Sequence, residues 1–557
     1  MFIDIKELSE NSLIESDICI VGGGAAGITL AREFIDQPYQ VCLLESGGLD
    51  FEEATQSLYQ GENTGVPYFP LQESRARYLG GSTNLWAGWS RPFDDIDFED
   101  RPWMPYSGWP IPKPDLNSYY QRAQKVSGLG ADKYDFADWE DALKELQLQR
   151  LPLPEQIETY IWQIVPPTHL RFGKAYKAEL EQASNIKTYL HANVVEIETN
   201  DPARSVTRLH VATLEGKKFW VSAKAFILAV GGIENPRLLL ASNQVQSNGL
   251  GNQHDLVGRF FMEHPYLQSG EIEFSEPPVL YTKENIKVGE TFLGTALGLS
   301  KKIQQQEQLL NFCTRLVTIL PDWVEAFNRL KFKLRGKKGI FHEAFPTITE
   351  GQRYRGDTSA LEDLSKVIAN LDRIAARAYA KLFDKSFYTG QSNLCKLHLI
   401  GEQAPNPDSR ITLSSERDRL GVNQVQLDWR LSPIDKYTIE RSQQIIAEEF
   451  ARSGLGQLKI ELTNDESWES VVGSYHHMGT TRMSANPTQG VVNENCRVHG
   501  ISNLYVAGSS VFPTSGLSNP TLTLMALAIR LADHLKETMA SQPTNLEKVP
   551  VSFSPHQ

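Results

Sequence analysis

The sequence is poor in cysteine: the five it contains are scattered along 557 residues. None is spaced as CxxC, and an odd number cannot pair completely within the chain. Cys19 and Cys42 lie in apolar runs, where a thiol behaves as a small buried hydrophobe. The pattern excludes a zinc cluster built from cysteines and predicts a reduced, cytoplasmic protein without structural disulfides.

The chain also lacks long apolar segments and an excess of positive charge. No uninterrupted apolar run is long enough to cross a bilayer, and residues 1–16 are mixed and acidic, unlike a secretory signal peptide. The formal net charge of −13 disfavours nucleic acid as a partner. The one basic cluster, residues 328–338, is interpreted as a solvated loop, with a docking patch for an anionic partner or membrane surface as the alternative.

Near its start the chain contains a dinucleotide-binding fingerprint. Residues 17–21 form a strand-like apolar run, Gly22-x-Gly24-x-x-Gly27 follows, and a helix is predicted from Ala25 onward. Glycines at these positions let the backbone turn tightly and point a helix N-terminus at a pyrophosphate. The segment therefore predicts a nucleotide-binding βαβ unit.

The second strand of this unit, residues 41–44, ends on Glu45. Its carboxylate suits the ribose hydroxyls of an adenine nucleotide and would repel a 2′-phosphate, which disfavours NADP but does not separate FAD from NAD. Residues 226–232 and 504–508 repeat the strand-to-glycine form. We therefore expect a parallel sheet assembled from pieces distant in sequence.

Two segments near the C-terminus carry side chains suited to proton chemistry, residues 474–483 (SYHHMGTTRM) and 519–523 (NPTLT). The histidine side chain has a pKa of ~6.5, so its neutral form can accept a proton at working pH. Asn519 offers an amide donor and cannot compete as a base. Asn before Pro520 is also typical of an N-cap followed by proline at the first helical position, so a purely structural cap is the alternative.

From residue 22 to residue 535 the chain resembles the glucose–methanol–choline (GMC) oxidoreductase family. Besides the fingerprint, the resemblance rests on residues 77–87 (RYLGGSTNLWA), 227–242 (ILAVGGIENPRLLLAS), 257–265 (VGRFFMEHP), 402–413 (EQAPNPDSRITL) and 503–535. It implies an FAD enzyme that removes the proton of an alcohol hydroxyl and transfers a hydride from its carbon to flavin N5.

The resemblance also implies which residues act. His476, in the pattern His-x-x-Gly-Thr, matches the catalytic histidine, and Asn519 matches the second catalytic position, Asn or His in the family. No metal site is expected, because the pair His476-His477 has no third ligand at suitable spacing. The implied cofactor-binding residues are Gly22, Gly24, Ala25, Gly27, Glu45, Arg77, Gly80, Gly81, Ser82, Asn84, Leu85, Trp86, Ala87, Val194, Gly508, Pro520 and Thr521.

The predicted fold class is α/β, α+β overall. A Rossmann-like FAD-binding domain is expected from residues 1–50, 186–265 and 471–540, with loops 75–90 also touching the flavin. A substrate domain on an antiparallel sheet with helices is expected from 51–185 and 266–470. Residues 541–557 are predicted to be a disordered tail.

Two departures from the family pattern refine the expectation. Leu85 stands where some members bond the flavin covalently through histidine, so the FAD is expected to be noncovalent. Gly508 stands where many members have Asp, which is nearer to pyranose 2-oxidase and to bacterial sugar and polyol dehydrogenases. A sugar, glycoside or polyol-like alcohol is therefore the expected substrate.

The sequence leaves the electron acceptor open among oxygen, a quinone and a redox protein. It also leaves open the alcohol itself, the carbon oxidised and the oligomeric state. Two alternatives remain: a non-redox lyase or decarboxylase of the same fold, and a flavin subunit of a multi-protein dehydrogenase.

Overall fold

The computed structural model describes residues 1–320, 322–334, 359–372, 393–462 and 470–541. Of the predicted tail, all but residue 541 lies outside this part, as do residues 335–338 of the basic cluster. The prediction of a loop at residues 328–334 is wrong, because these residues form the last part of the helix Asp322–Leu334. Trp323, Phe327 and Leu330 recur there at helical spacing, which the basic residues between them obscure.

The nucleotide-binding unit belongs to a six-stranded parallel sheet within the described residues. From edge to edge its strands are Phe2–Asp4, Ile186–Leu190, Val41–Leu44, Ile18–Val21, Ala225–Leu228 and Leu504–Val506. Four of the six strands read as apolar runs, Val41–Leu44, Ile18–Val21, Ala225–Leu228 and Leu504–Val506, and all four are buried throughout. The prediction of a parallel sheet built from distant pieces is confirmed.

The helix Ala25–Glu33 leaves the glycine loop and packs closely against it. A Cβ atom at Gly27 would lie 1.8 Å from the carbonyl oxygen of Gly22, so only glycine allows this approach. The helix Pro520–Ala540 packs beside it, and its apolar residues are buried nearly all round. Both helices begin at the edge where the parallel strands end.

A second, larger sheet is antiparallel. Its strands run in the order Gly456–Lys459, Tyr266–Phe274, Leu394–Gly401, Phe312–Thr318, Thr291–Leu299, Ile157–Ile164 and Trp89–Ser90, with Ile286–Val288 beside Thr291–Leu299. One buried apolar cluster surrounds the parallel sheet and another packs on this one. The fold is mixed α/β, with an antiparallel sheet in addition to the parallel one, as the sequence predicts.

Two smaller sheets flank these, Leu13–Glu15 with Lys218–Ser222, Val206–Ala212 and Asn193–Thr199, and Arg410–Arg417 with Asn423–Asp428 and Gly61–Asn63. The remaining described helices are Glu53–Gln56, Asp95–Phe98, Asn117–Ser127, Glu140–Glu145, Phe172–Ala175, Lys177–Gln182, Gly231–Ala241, Val279–Thr282, Lys301–Glu307, Ala360–Ile368 and Pro433–Arg452. No helix in the described ranges has the length and apolar character to cross a membrane. All five cysteines are buried and unbonded.

A buried ion pair joins the loop after Asp95–Phe98 to the end of an antiparallel strand. The guanidinium of Arg101 donates to both oxygens of Glu402 at 2.7 and 2.6 Å, and the two side chains are 1% and 0% exposed. Glu402 also accepts the backbone N–H of Asn311 at 2.9 Å. Because neither charge reaches water, each depends on the other for solvation.

We therefore expect Glu402→Gln to lower the free energy of unfolding by about 3 to 5 kcal/mol, since it leaves Arg101 buried without a counter-charge. The matched control is Lys144→Gln, which breaks an exposed pair with Glu140 and should cost no more than about 1 kcal/mol. Urea unfolding followed by tryptophan fluorescence measures both. Equal losses of unfolding free energy in the two variants would contradict the view that the buried pair of Arg101 and Glu402 stabilises the fold.

Candidate active site

A cavity of about 630 Å³ lies between the two large sheets. Its lining includes the residues that directly follow four parallel strands, residues 22–24, Glu45, 229–232 and 507–509. Carboxyl ends of parallel strands are where open α/β sheets bind ligands. The opposite lining comes from the antiparallel sheet.

Most of the sequence-predicted site residues meet in this cavity. Its lining contains His476, Asn519, Gly22, Gly24, Ala25, Glu45, Arg77, Gly81, Ser82, Leu85, Trp86, Ala87, Val194, Gly508, Pro520 and Thr521. Gly27, Gly80 and Asn84 are not part of the lining. They lie behind it: Gly27 packs on the glycine loop, the Gly80 N–H donates to the Gly23 carbonyl at 2.8 Å, and the Asn84 amide donates to two loop carbonyls.

The glycine loop leaves room for a ligand with phosphate groups. Gly22 has φ +107°, and a Cβ atom there would lie 2.6 Å from the carbonyl oxygen of Ala229. Helices starting at Ala25, Gly231 and Pro520 direct their N-termini towards the cavity. Their partial positive charges favour an anionic group.

Glu45 is 4% exposed and borders the cavity. One carboxylate oxygen accepts the N–H of Gly23 at 2.9 Å and the other that of Gly47 at 2.8 Å. Burial raises the pKa of Glu45, and these two hydrogen bonds oppose the rise. A carboxylate has further lone pairs, so Glu45 can still accept from ribose hydroxyls.

Arg77 belongs to a buried charge cluster on the same wall. Arg75, Arg77 and Arg237 surround Glu234 at 2.8, 3.3 and 3.1 Å, and Arg237 also meets Asp418 at 2.8 Å. Burial alone would raise the pKa of Glu234, but the guanidinium groups lower it to about 2. Three cations face two carboxylates, which adds positive charge beside the nucleotide loop. The glycine loop, the carboxylate of Glu45 and the net positive charge of the arginine cluster together fit FAD.

His476 and Asn519 face each other at the cavity. Nδ2 of Asn519 lies 3.2 Å from Nε2 of His476. Asn519 is the N-cap of helix Pro520–Ala540, as predicted, yet its side chain makes no capping hydrogen bond. The amide is therefore directed at the histidine and does not serve the helix.

Sequence reasoning gave no role to Glu263 and His264, which hold His476. The backbone N–H of His476 donates to the Glu263 carboxylate at 2.9 Å, and Nδ1 of His264 lies 2.9 Å from Nδ1 of His476. Burial lowers the pKa of His476 well below its usual value and that of His264 to about 4. The only local signal was the adjacent pair Glu-His within residues 257–265.

His477 faces a different partner, with its Nε2 2.8 Å from the hydroxyl of Tyr68. It is 9% exposed, and burial lowers its pKa to about 3. His477 also borders the cavity, but its Nε2 meets Tyr68 and not His476 or Asn519, so it is a packing and hydrogen-bonding residue, as the sequence predicts. Nowhere in the described ranges do three or more His, Cys, Asp or Glu side chains converge as metal ligands.

Comparison with known proteins gives one family match for the region of His476 and Asn519 and another for the region of the glycine loop. The family described as "GMC oxidoreductase" matches residues 405–528, which include His476 and Asn519, and the family described as "FAD dependent oxidoreductase" matches residues 17–248. The C-terminal region therefore resembles GMC oxidoreductases, and the N-terminal region resembles FAD-dependent oxidoreductases. Together with the relatives below, these matches make the chain an FAD-dependent oxidoreductase acting on CH–OH groups.

The relatives that match nearly the full length of this chain are distant. The large subunit of fructose dehydrogenase from Gluconobacter japonicus is 21% identical, over 94% of this chain and 98% of the relative. A 2-methyl-1,2-propanediol dehydrogenase from Mycolicibacterium austroafricanum is 22% identical, over 94% and 95%. Pyridoxine 4-oxidase from Mesorbium loti is 16% identical with a TM-score of 0.55, over 94% of this chain and 99% of that one, and supports the fold alone.

Gly22→Ala should lower the FAD content of the purified protein strongly, because the added methyl group collides with the Ala229 carbonyl and forces the loop to move. The matched control is Gly216→Ala, which has a similar φ of +92° but open space around its Cβ position. The ratio of flavin to protein absorbance measures both variants. Equal flavin loss in both would show that backbone strain alone, without the collision, is responsible.

Proposed function

We propose that this FAD-dependent oxidoreductase oxidises a CH–OH group on a sugar, glycoside or polyol-like molecule, with His476 as base and Asn519 as the residue that orients the alcohol. The observation that carries the proposal is the 3.2 Å contact between Nε2 of His476 and Nδ2 of Asn519 at the cavity. An alcohol oxygen beside both atoms meets one proton acceptor and one donor.

Loss of hydride from carbon becomes easy only as the hydroxyl oxygen becomes an alkoxide. His476 is neutral at working pH because burial lowers its pKa, so its Nε2 lone pair can take the hydroxyl proton. The Asn519 amide donates to the oxygen and stabilises the negative charge that develops there. Bound FAD supplies the hydride acceptor.

Aromatic side chains support a carbohydrate-like substrate. Trp89 and Trp162 line the cavity on the antiparallel sheet, and the guanidinium of Arg315 lies 4.4 Å from the Trp89 ring centroid. Flat apolar surfaces with a nearby donor suit the C–H face and the hydroxyls of a sugar ring. The names of the two dehydrogenases above, for fructose and for a propanediol, point to the same class of alcohol.

The proposal divides the work between two parts of the chain. Residues 1–50, 186–265 and 471–540 would hold the FAD, with loops 75–90 beside the flavin, and residues 51–185 and 266–470 would shape the substrate end. The cofactor contacts assigned to the lining residues, the cytoplasmic location and the choice of acceptor among oxygen, quinone and redox protein belong to this proposal.

The test is anaerobic loss of the yellow flavin colour against a panel of sugars, glycosides, polyols and aromatic alcohols. With the best substrate, His476→Ala should retain FAD but slow flavin reduction by roughly 10²-fold or more, the usual contribution of a positioned base. The loss should shrink at high pH, where the alcohol ionises more readily. Asn519→Ala should slow the same step without changing its pH profile, because an amide does not titrate.

His477→Ala is the matched control. It removes the neighbouring histidine, whose ring faces the hydroxyl of Tyr68 and does not face Asn519. It should slow reduction less than His476→Ala does. Wild-type reduction rates in both His476→Ala and Asn519→Ala would refute the mechanism. No bleaching by any alcohol would instead favour the non-redox alternative.

The FAD should be released into the supernatant by acid precipitation. Leu85 lines the cavity where some family members bond the flavin, and its side chain has no nucleophile. Absorbance of the supernatant and pellet measures the release. Yellow colour retained in the washed pellet would contradict noncovalent binding.

A further inference from the structure

The rings of His264 and His476 face each other through equivalent nitrogens, so one hydrogen must lie between two Nδ1 atoms 2.9 Å apart. Nε2 of His264 lies 3.2 Å from the carbonyl oxygen of Ser515. A carbonyl oxygen only accepts hydrogen bonds, so this Nε2 must carry a hydrogen. The partners of a ring thus assign its tautomer.

His264 is 1% exposed, and burial lowers its pKa to about 4. At neutral pH it is therefore uncharged and carries only its Nε2 hydrogen. Its Nδ1 is left as an acceptor. The hydrogen between the two rings must then belong to His476.

The same argument sets the state of His476. Its pKa is lowered by burial, with neighbouring His264 and His477 acting in the same direction, so it too is neutral. With the hydrogen on Nδ1, its Nε2 carries the lone pair. That nitrogen faces the Asn519 amide at the cavity.

We propose that His264 is a positioning residue that holds His476 in the Nδ1–H tautomer, so that the lone pair of the base is directed at the substrate. When an alcohol O–H bond breaks and its proton forms a bond to Nε2, the Nδ1–H of the resulting imidazolium still donates to His264. His264 in turn donates to the Ser515 carbonyl, so the chain of hydrogen bonds spreads the new charge. The catalytic consequence rests on the proposed function, whereas the tautomer does not.

The backbone around His264 is fixed from two sides. Its N–H donates to the carboxylate of Glu263 at 3.1 Å, and its carbonyl accepts the hydroxyl of Ser474 at 2.8 Å. Ser474 lies two residues before His476. The two histidines are therefore held together by their main chains as well as by their rings.

The tautomer can be read directly by nitrogen NMR of the holoenzyme labelled at histidine nitrogens, with the His476 signals identified by their loss in His476→Ala. In the wild type, we expect the proton on Nδ1 of His476. In His264→Leu, which removes the acceptor, the proton should move to Nε2 in part or completely. His264→Asn keeps an acceptor at the δ position and should retain the Nδ1–H signal.

Flavin reduction by the alcohol should follow the tautomer. His264→Leu should reduce its FAD at least about 10-fold more slowly at unchanged FAD content, and His264→Asn should recover most of the rate. The control is His499→Leu, which removes a comparable bond from histidine Nε2 to a carbonyl, that of Ser484 at 2.9 Å, outside the cavity lining. It should match the wild type.

A wild-type His476 protonated on Nε2 would overturn the inference without any variant. The inference would also be overturned if His264→Leu kept both the Nδ1–H signal of His476 and the wild-type rate of flavin reduction. If His264→Leu fails to fold or to bind FAD, the tautomer of His476 is decided by the nitrogen NMR spectra of the wild type and of His264→Asn. If the tautomers are as expected but His476→Ala reduces its flavin normally, the proposed function fails while the tautomer assignment stands.

Discussion

The geometry of the site depends on one buried carboxylate, that of Glu263. It accepts the N–H groups of His264, Ser474 and His476 at 3.1, 3.0 and 2.9 Å, together with the hydroxyl of Tyr68. Burial raises its pKa to about 7, although these hydrogen bonds oppose the rise. A single side chain thus joins the loop of His476 to a segment more than two hundred residues earlier in the chain.

Burial has a second effect, on the histidines around this carboxylate. It is the largest cause of the lowered pKa of His264, His476 and His477. A neutral imidazole has one donor and one acceptor, so each hydrogen bond made by one ring restricts the next. The cavity between the two sheets is therefore bordered by buried histidines whose hydrogen bonds depend on one another.

Local signals account for the parts of the structure that were predicted correctly. Four-residue apolar runs ending in glycine or Glu45 predict buried parallel strands, because side chains on both faces must be apolar. Asn519 before Pro520 predicts a helix start. The same local view does not separate the residues that line the cavity from Gly27, Gly80 and Asn84, which lie behind the lining. The helical spacing of Trp323, Phe327 and Leu330 was likewise overlooked, so that residues 328–334 were predicted to be a loop.

The sequence by itself determined the strand–glycine–helix unit, the choice of His476 and Asn519 as a pair and, through ordered motifs, the resemblance to GMC oxidoreductases. Each of these depends on neighbouring residues, whose spacing reports the backbone geometry directly. Only the tertiary structure decided that Glu263 and His264 hold His476, that Arg75 and Arg237 join Arg77 around Glu234, and that the rings of His264 and His476 meet through their Nδ1 atoms. These are contacts between residues far apart in the chain, and burial, not residue type, sets their protonation.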